Sequence, residues 1–280
     1  MASEARFGYS SAKGNIIPGF CDDYQVCNRE IKAGTIERKF INMVTRFSKI
    51  KLFEDKTTPQ YEAMCWWLND LDRRININYH ESMLIQRYLL ALIYFSNSGA
   101  QWHDNRKWVS QEPECNWYGI SCDVDESIIS KIDLSSNNVK GTIISEIGEL
   151  KGLEHISFDS NVLKGTIPKE IIKLEKLSTL TLSNNKLKGN IPVEMKYITS
   201  LKKLDLSINR FSSTIPPEFG AHKNIEYLDF SLNSLSGELS ENFISWNKLN
   251  FLNLSGNFFY GNANILQNFT RLGECYSCNL

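Results

Sequence analysis

The chain has 280 residues and a net charge of −1, with 31 Lys and Arg against 32 Asp and Glu. This balance gives no electrostatic basis for binding nucleic acid. The length suits one or two domains, and no stretch approaches the roughly 18 apolar residues that a membrane-spanning helix requires.

The N-terminal segment, residues 1–56, lacks the signals of a compact domain. Its first 14 residues are polar and contain no apolar core of a secretory signal peptide. Residues 36–53 place apolar side chains near helical spacing, with Lys and Arg among them, which predicts an amphipathic helix. Such a helix either docks on the protein or lies on a membrane surface, and its short length favours docking. We therefore expect a poorly ordered tail that contains one amphipathic helix.

Residues 57–101 predict a helical N-terminal extension. The span from Met83 to Phe95 is apolar with helical periodicity, and Gly99 follows it as a helix-ending signal. Because Arg87 interrupts the apolar run, this span is interpreted as a buried helix. The buried side is expected to carry Tyr88, Leu89, Leu92 and Ile93.

Residues 127–272 repeat with a period of 24 residues. The period is marked by Asn137, Asn161, Asn185, Asn209, Asn233 and Asn257. Around each asparagine recurs the frame L-x-x-L-x-L-x-x-N-x-L-x-G-x-I-P, most completely between Leu177 and Pro192. One copy is too small to bury its own apolar face, so the copies must stack. The L-x-L pair has the alternation of a strand with both leucines inward, and the asparagine can bridge the backbones of neighbouring turns.

This frame resembles the plant-type leucine-rich repeats of receptor ectodomains and of secreted cell-wall inhibitor proteins. The segment from Trp108 to Cys122, which ends in C-N-W-Y-G-I-S-C, is similar to the N-terminal cap of that family. The upstream segment that begins T-P-Q-Y-E-A at Thr58 and ends at Trp102 resembles the region before the repeats in stramenopile (diatom-type) proteins.

The resemblance implies an α/β fold. We expect a right-handed β/α leucine-rich-repeat solenoid with a parallel concave sheet, an N-terminal cap at residues 102–126 and a C-terminal cap end at residues 273–280. It also implies that Cys115 and Cys122 form a disulfide, which would fix a cap over the apolar edge of the first repeat.

The other five of the seven cysteines allow several pairings. Cys275-x-x-Cys278 could be half of a zinc site or a redox pair, but a capping disulfide is favoured and reduced thiols are the main alternative. Cys21 and Cys27 could close a small loop. Cys65 lies beside Trp66 on a predicted helix and is expected to be buried and unpaired.

The sequence gives conflicting indications of cellular location. Disulfides require an oxidising compartment, and Asn253 and Asn268 begin N-x-S/T sequons that fit glycosylation there. The absence of a signal peptide conflicts with this placement. An extracellular, lumenal or membrane-associated protein is expected, with a cytoplasmic one as the alternative.

Motifs for catalysis are absent from the sequence. The four histidines are scattered and form no H-E-x-x-H motif. The K-G-T segments at Lys140 and Lys164 look like pieces of a phosphate loop, but they recur with the 24-residue period and lack its frame. We predict no enzyme activity, no cofactor, no metal site and no catalytic residue.

A partner is expected on the outward positions of the concave strands, which form three columns. The first column is Lys131, His155, Thr179, Lys203, Tyr227 and Phe251. The second is Asp133, Ser157, Thr181, Asp205, Asp229 and Asn253. The third is nearly constant serine, which favours local hydrogen bonding at the turn over binding. The predicted partner-binding residues are Lys131, Asp133, His155, Thr179, Lys203, Asp205, Tyr227, Asp229 and Phe251.

Within this set Tyr227 and Phe251 are adjacent aromatics next to Asp205 and Asp229. Exposed aromatic side chains are common anchors at interfaces, and they could also stack on a sugar ring. The alternative is that Phe251 is merely shielded by the C-terminal cap.

These features favour a non-enzymatic binding module, receptor-like or inhibitor-like, whose partner is a protein, a peptide or a cell-wall glycan. Six repeats form a short arc, so a short peptide or a flat epitope suits it best. The alternatives are an intracellular interaction scaffold and the soluble portion of a membrane-anchored receptor.

Overall fold

A computed structural model describes residues 24–74, 81–125, 127–261 and 274–276. The repeats stack into a solenoid with one sheet of eight strands and another of six, as the period predicts. The larger sheet contains β3 (Ile120–Cys122), β4 (Ile129–Asp133), β6 (His155–Ser157), β8 (Thr179–Thr181), β10 (Lys203–Asp205), β12 (Tyr227–Asp229), β14 (Phe251–Asn253) and β16 (Glu274–Tyr276). It corresponds to the predicted concave sheet and is parallel except that β3 from the cap pairs antiparallel with β4.

The six-stranded sheet, here called the lateral sheet, follows the asparagine of each repeat. Its strands are β5 (Lys140–Gly141), β7 (Val162–Gly165), β9 (Lys186–Gly189), β11 (Arg210–Ser213), β13 (Ser234–Gly237) and β15 (Phe258–Phe259). All of its pairings are parallel. Five of the described turns close with a short 3₁₀ helix, and three of these helices follow Pro168, Pro192 and Pro216.

The core of the solenoid comes from the inward residues of the frame. Both residues of every L-x-L pair are buried, from Ile132 and Leu134 in the first copy to Leu252 and Leu254 in the last. Since successive strand residues point to opposite faces, the residue between them must point outward. The frame thus produces the core and the candidate binding surface together.

The asparagines form the predicted ladder between turns. The amide of Asn161 donates to the carbonyl oxygen of Leu134 in the preceding turn at 2.7 Å and to that of Phe158 in its own turn at 3.0 Å. Its Oδ1 accepts from the backbone N–H groups of Asn137 and Val139, at 3.0 and 2.9 Å. One buried side chain therefore satisfies backbone groups that would otherwise be costly to leave unpaired.

The N-terminal region is more ordered than the sequence indicated. Residues 24–56, expected to lie in a poorly ordered tail, contain the hairpin β1 (Tyr24–Val26) and β2 (Arg29–Ile31) and the helix α1 (Ile36–Val44). The helix ends nine residues before Phe53, which lies in a separate 3₁₀ turn. Phe40 of α1 is fully buried and stacks on Trp67 at a centroid distance of 3.6 Å. The apolar face thus docks on the protein, so the membrane-surface alternative is wrong.

Two longer helices, α2 (Pro59–Arg74) and α3 (Glu81–Ser96), connect this region to the repeats. The second confirms the helix predicted from Met83 to Phe95. Arg87 on α3 is buried; its Nε donates to Asp70 on α2 at 2.6 Å and its Nη1 to Glu114 in the cap at 3.0 Å. The guanidinium lies against the rings of both Trp66 and Trp117, at 5.1 and 5.2 Å from their centroids. One buried cation therefore holds two helices and the cap together.

Two disulfides are present among the described residues. Cys115–Cys122 confirms the cap disulfide. Cys65, expected to be unpaired, is instead bonded to Cys27, which also excludes the predicted Cys21–Cys27 loop. The hairpin of β1 and β2 brings Cys27 onto α2, a contact across 38 residues that no local spacing reveals.

Replacing both Cys27 and Cys65 by serine is expected to lower the free energy of unfolding by about 2–4 kcal/mol, because a long closed loop restricts the unfolded chain. Urea unfolding of the oxidised protein measures this. The fully reduced wild type and the fully reduced variant should then differ much less. An equal difference under both conditions would show that the serines disturb packing instead.

Candidate functional site

The first outward column is aligned across the larger sheet by the strand register. Lys131 pairs with His155, His155 with Thr179, and the series continues through Lys203 and Tyr227 to Phe251. All six side chains are partly exposed. The structure therefore brings the predicted first-column residues together in one continuous row.

The second and third columns are tied to each other by local turns. Asp205 Oδ1 accepts from the backbone N–H and the hydroxyl of Ser207, at 3.0 and 2.7 Å. Asp133 with Ser135, Asp229 with Ser231 and Asn253 with Ser255 repeat the same arrangement. This confirms that the serine column forms local hydrogen bonds, and it shows that the aspartates support the turn as well.

Asp205 lies in an environment that disfavours its negative charge. Burial raises the pKa of Asp205, and the charges of Asp229 and Asp159 add to this, while hydrogen bonds from Ser207 act in the opposite direction. Asp229 is only 8% exposed, and its Oδ2 is 3.4 Å from the amide of Asn253. Of the two aspartates predicted beside the aromatics, Asp205 is thus the more accessible.

The C-terminal half of the row carries the apolar surface. The rings of Tyr227 and Phe251 are parallel within 4° and their centroids are 4.3 Å apart. The ammonium group of Lys203 lies 4.6 Å from the centroid of Tyr227, in the geometry of a cation–π contact. β16 lies beyond β14 and pairs Glu274 with Phe251. We call Lys203, Asp205, Tyr227 and Phe251 the aromatic patch.

The N-terminal half of the row is polar and internally paired. Lys131 forms an ion pair with Asp133 at 3.1 Å. Burial raises the pKa of Asp133, but contacts with Lys131 and Ser135 outweigh it and the pKa is lowered. His155 and Thr179 follow without a large apolar side chain. The two halves of the face therefore differ in chemistry.

The structure also reveals surface residues that the sequence analysis missed. Asp159, in the serine column, accepts hydrogen bonds from Thr181 at 2.6 Å and from Ser183 at 3.0 Å, and so connects two neighbouring repeats. Ile208 and Leu232, at the edge of the face, have positive φ of 52° and are 46% and 56% exposed. The other copies hold Ser, Asn or Gly at this frame position, so aligning the copies would have shown both residues.

The predicted modification sites are only partly described. Asn253 lies within β14, and its Oδ1 accepts from the backbone and the hydroxyl of Ser255, at 3.1 and 2.7 Å. The side chains of Cys275 and Cys278, and all of Asn268, lie outside the described residues. Among residues that are described, no group of three or more His, Cys, Asp or Glu side chains could hold a metal ion. No helix in this part of the chain is long and apolar enough to cross a membrane.

The family model for the leucine-rich repeat matches residues 176–198 and 200–221, within the stacked turns described above. The stacked turns form a leucine-rich-repeat solenoid. A 54-residue segment is 37% identical to the leucine-rich repeat receptor-like protein kinase PEPR2 of Arabidopsis thaliana, covering 19% of this chain and 5% of the kinase.

Two solved structures show the same solenoid. The Arabidopsis receptor kinase HAESA, in complex with the peptide hormone IDA and the co-receptor SERK1, matches with a TM-score of 0.60 and 28% identity, over 69% of this chain and 33% of HAESA. The BIR2 ectodomain from Arabidopsis thaliana matches with a TM-score of 0.56 and 27% identity, over 63% of this chain and 94% of that one. This leucine-rich-repeat chain thus spans a third of HAESA and far less of PEPR2.

Proposed function

We propose that the chain is a non-enzymatic, receptor-like module that binds a peptide or protein segment on the larger sheet. The observation that carries the proposal is the partly exposed, parallel pair of Tyr227 and Phe251, with Lys203 against one ring. Flat aromatic groups on a rigid sheet bind with little loss of side-chain freedom, which is why they are frequent anchors.

The surroundings of this pair favour a particular partner chemistry. An apolar or aromatic side chain would cover the rings, while a basic group would approach Asp205, whose raised pKa reflects burial and nearby carboxylates. A cation placed there would lower that electrostatic cost. We therefore infer a segment with an apolar residue next to Lys or Arg. Lys131, Asp133, His155, Thr179 and Asp229 would lie beside the same ligand as secondary contacts.

Two further observations support a receptor-like role. HAESA, which has the same solenoid, is solved with a peptide hormone. The disulfides Cys27–Cys65 and Cys115–Cys122 fit an oxidising compartment, and so an extracellular or lumenal location.

The test is a selection of random linear peptides on the immobilised protein, with the variant Y227T/F251T as the matched control. Threonine stands in this column at Thr179, so the variant keeps a residue that the repeat accommodates. We expect enriched peptides that combine apolar and basic residues and bind the variant at least about tenfold more weakly.

Equal binding to both proteins would overturn the assignment of the site. The proposal that the ligand is a peptide would be wrong if no peptide is enriched and the wild type, but not the variant, binds neutral oligosaccharides. The ligand would then be a glycan.

A further inference from the structure

The outward positions of the lateral sheet carry a concentration of positive charge. Register places Lys164 directly beside Lys186 and Lys188 directly beside Arg210. All four side chains are exposed, and the intervening Leu163, Leu187 and Phe211 are buried. These four residues, together with Lys140 on the neighbouring strand β5, form what we call the basic strip.

No carboxylate stands at an outward position within the strands of the lateral sheet. The remaining outward positions within the strands of the lateral sheet are Val162, Ser212, Ser234, Ser236 and Phe258, and the exposed Glu238 follows the end of β13. In the part of the chain that the structure describes, no residue of the strip forms an ion pair, and Lys140 donates only to the side-chain oxygen of Gln101 at 3.2 Å. Elsewhere in the solenoid Lys131, Lys151 and Lys173 do have acidic partners.

The fold does not require these charges. At the positions equivalent to Lys188 and Arg210, later copies have serine, Ser212 and Ser234, and form the same parallel pairs. Like charges on adjacent strands repel each other, so the strip destabilises the free protein slightly. An anion bound along the strip would relieve this repulsion.

The spacing of the strip and the rings beside it favour one kind of anion. Adjacent strands are about 4.8 Å apart, so a bound chain that follows the strip must present a charge at about that interval. An extended polypeptide places side chains on one side only every 6.6 Å or so. A chain of acidic sugars carries one carboxylate on every ring, and the long side chains of Lys and Arg can reach the carboxylates of successive rings although these alternate in direction. Beyond Arg210, Phe258 and Tyr260 are 68% and 60% exposed and offer rings on which sugars can stack.

We propose that the basic strip is a second binding site, which holds a linear acidic polysaccharide along the axis of the solenoid. The site lies on a different sheet from the aromatic patch and is independent of the peptide proposal.

The experiment measures binding of alginate, a linear polyuronate, to the full chain at several salt concentrations. The test variant is K164S/K186S/K188S/R210S, which introduces the residue that later copies already have. The matched control, K169S/K176S/K202S/K223S, removes the same charge from four exposed lysines away from the lateral sheet. Thermal unfolding of all three proteins confirms that they are folded.

We expect the wild type and the control to bind alginate alike, with an affinity that falls steeply with salt, and the test variant to bind roughly tenfold or more weakly with a shallower salt dependence. Equal loss in both variants, or no binding by the wild type at low salt, would overturn the proposal. Tighter binding of polyglutamate or of anionic lipid vesicles than of alginate would also overturn it, in favour of an acidic peptide or a membrane surface.

Discussion

Replacing Arg87 by methionine is expected to lower the free energy of unfolding by about 3–5 kcal/mol. The side chain of Arg87 is only 3% exposed, and it neutralises Asp70, which is 7% exposed, and the partly buried Glu114. Methionine fills much of the volume but leaves both carboxylates without their cation. It also removes hydrogen bonds to the carbonyl oxygens of Glu112 and Ser110, at 3.1 and 2.6 Å.

Urea unfolding followed by tryptophan fluorescence measures this effect, since Trp66 and Trp117 contact the guanidinium. The control is R106M, because Arg106 also pairs with an aspartate at 2.6 Å but is 77% exposed. Exposed ion pairs contribute little, so R106M should unfold like the wild type. Equally small effects of both variants on the free energy of unfolding would show that burial does not increase the contribution of the Arg87 ion pairs to stability.

The repeat region was predictable from sequence because its period acts locally and repeatedly. Each copy places Leu inward and Asn at the turn, and stacking then fixes the strand register, as the pairing of Leu180 with Leu204 shows. No period exists upstream of the cap. The docking of Phe40 on Trp67 and the Cys27–Cys65 disulfide depend on long-range packing. This is why the sequence did not predict the ordered structure of residues 24–56.

The candidate site was predictable in its outline and less so in its chemistry. Alternation within each strand identifies which residues point outward, and it correctly places Tyr227 beside Phe251. It does not reveal that Asp229 is buried by its neighbours, or that Asp159 accepts a hydrogen bond from the next repeat. Both the burial of Asp229 and the hydrogen bond of Asp159 depend on how one repeat packs against the next.

The backbone at Ile208 and Leu232 illustrates a cost that the repeat frame imposes. The frame needs a left-handed residue before the asparagine, and a β-branched residue such as Ile208 adopts that conformation at a cost of about 1–2 kcal/mol. Local propensity alone would have predicted extended backbone there, so the demands of the stacked turn override it.

His222 gives the second large expected effect, because it occupies an apolar position of the frame. The equivalent residues in the two preceding copies are Leu174 and Ile198, both buried. His222 is 1% exposed and packs edge-on against Phe219 at 4.9 Å. Its ring lies near the backbone of Ile198, but neither nitrogen has a partner of hydrogen-bonding geometry among the described residues. Burial lowers the pKa of His222 from 6.5 to about 4.

Stability is therefore expected to depend on pH through this residue. Above pH 6.5 the imidazole is neutral in both states and contributes no pH dependence. Between pH 6.5 and about 4 the unfolded chain binds a proton that the folded chain does not, so the free energy of unfolding falls by about 3 kcal/mol. Below pH 4 both states are protonated at this site and the loss is complete.

The variant H222L should remove this contribution and also be more stable at neutral pH, because leucine leaves no buried nitrogen unpaired, an effect of about 1–3 kcal/mol. Carboxylates titrate over the same range in both proteins, so the measurement is the difference in unfolding free energy between H222L and the wild type at each pH. This difference should widen as the pH falls from 6.5 to 4. A difference that stays constant would mean that His222 binds its proton equally well in the folded chain, and that its ring has access to water or a polar partner.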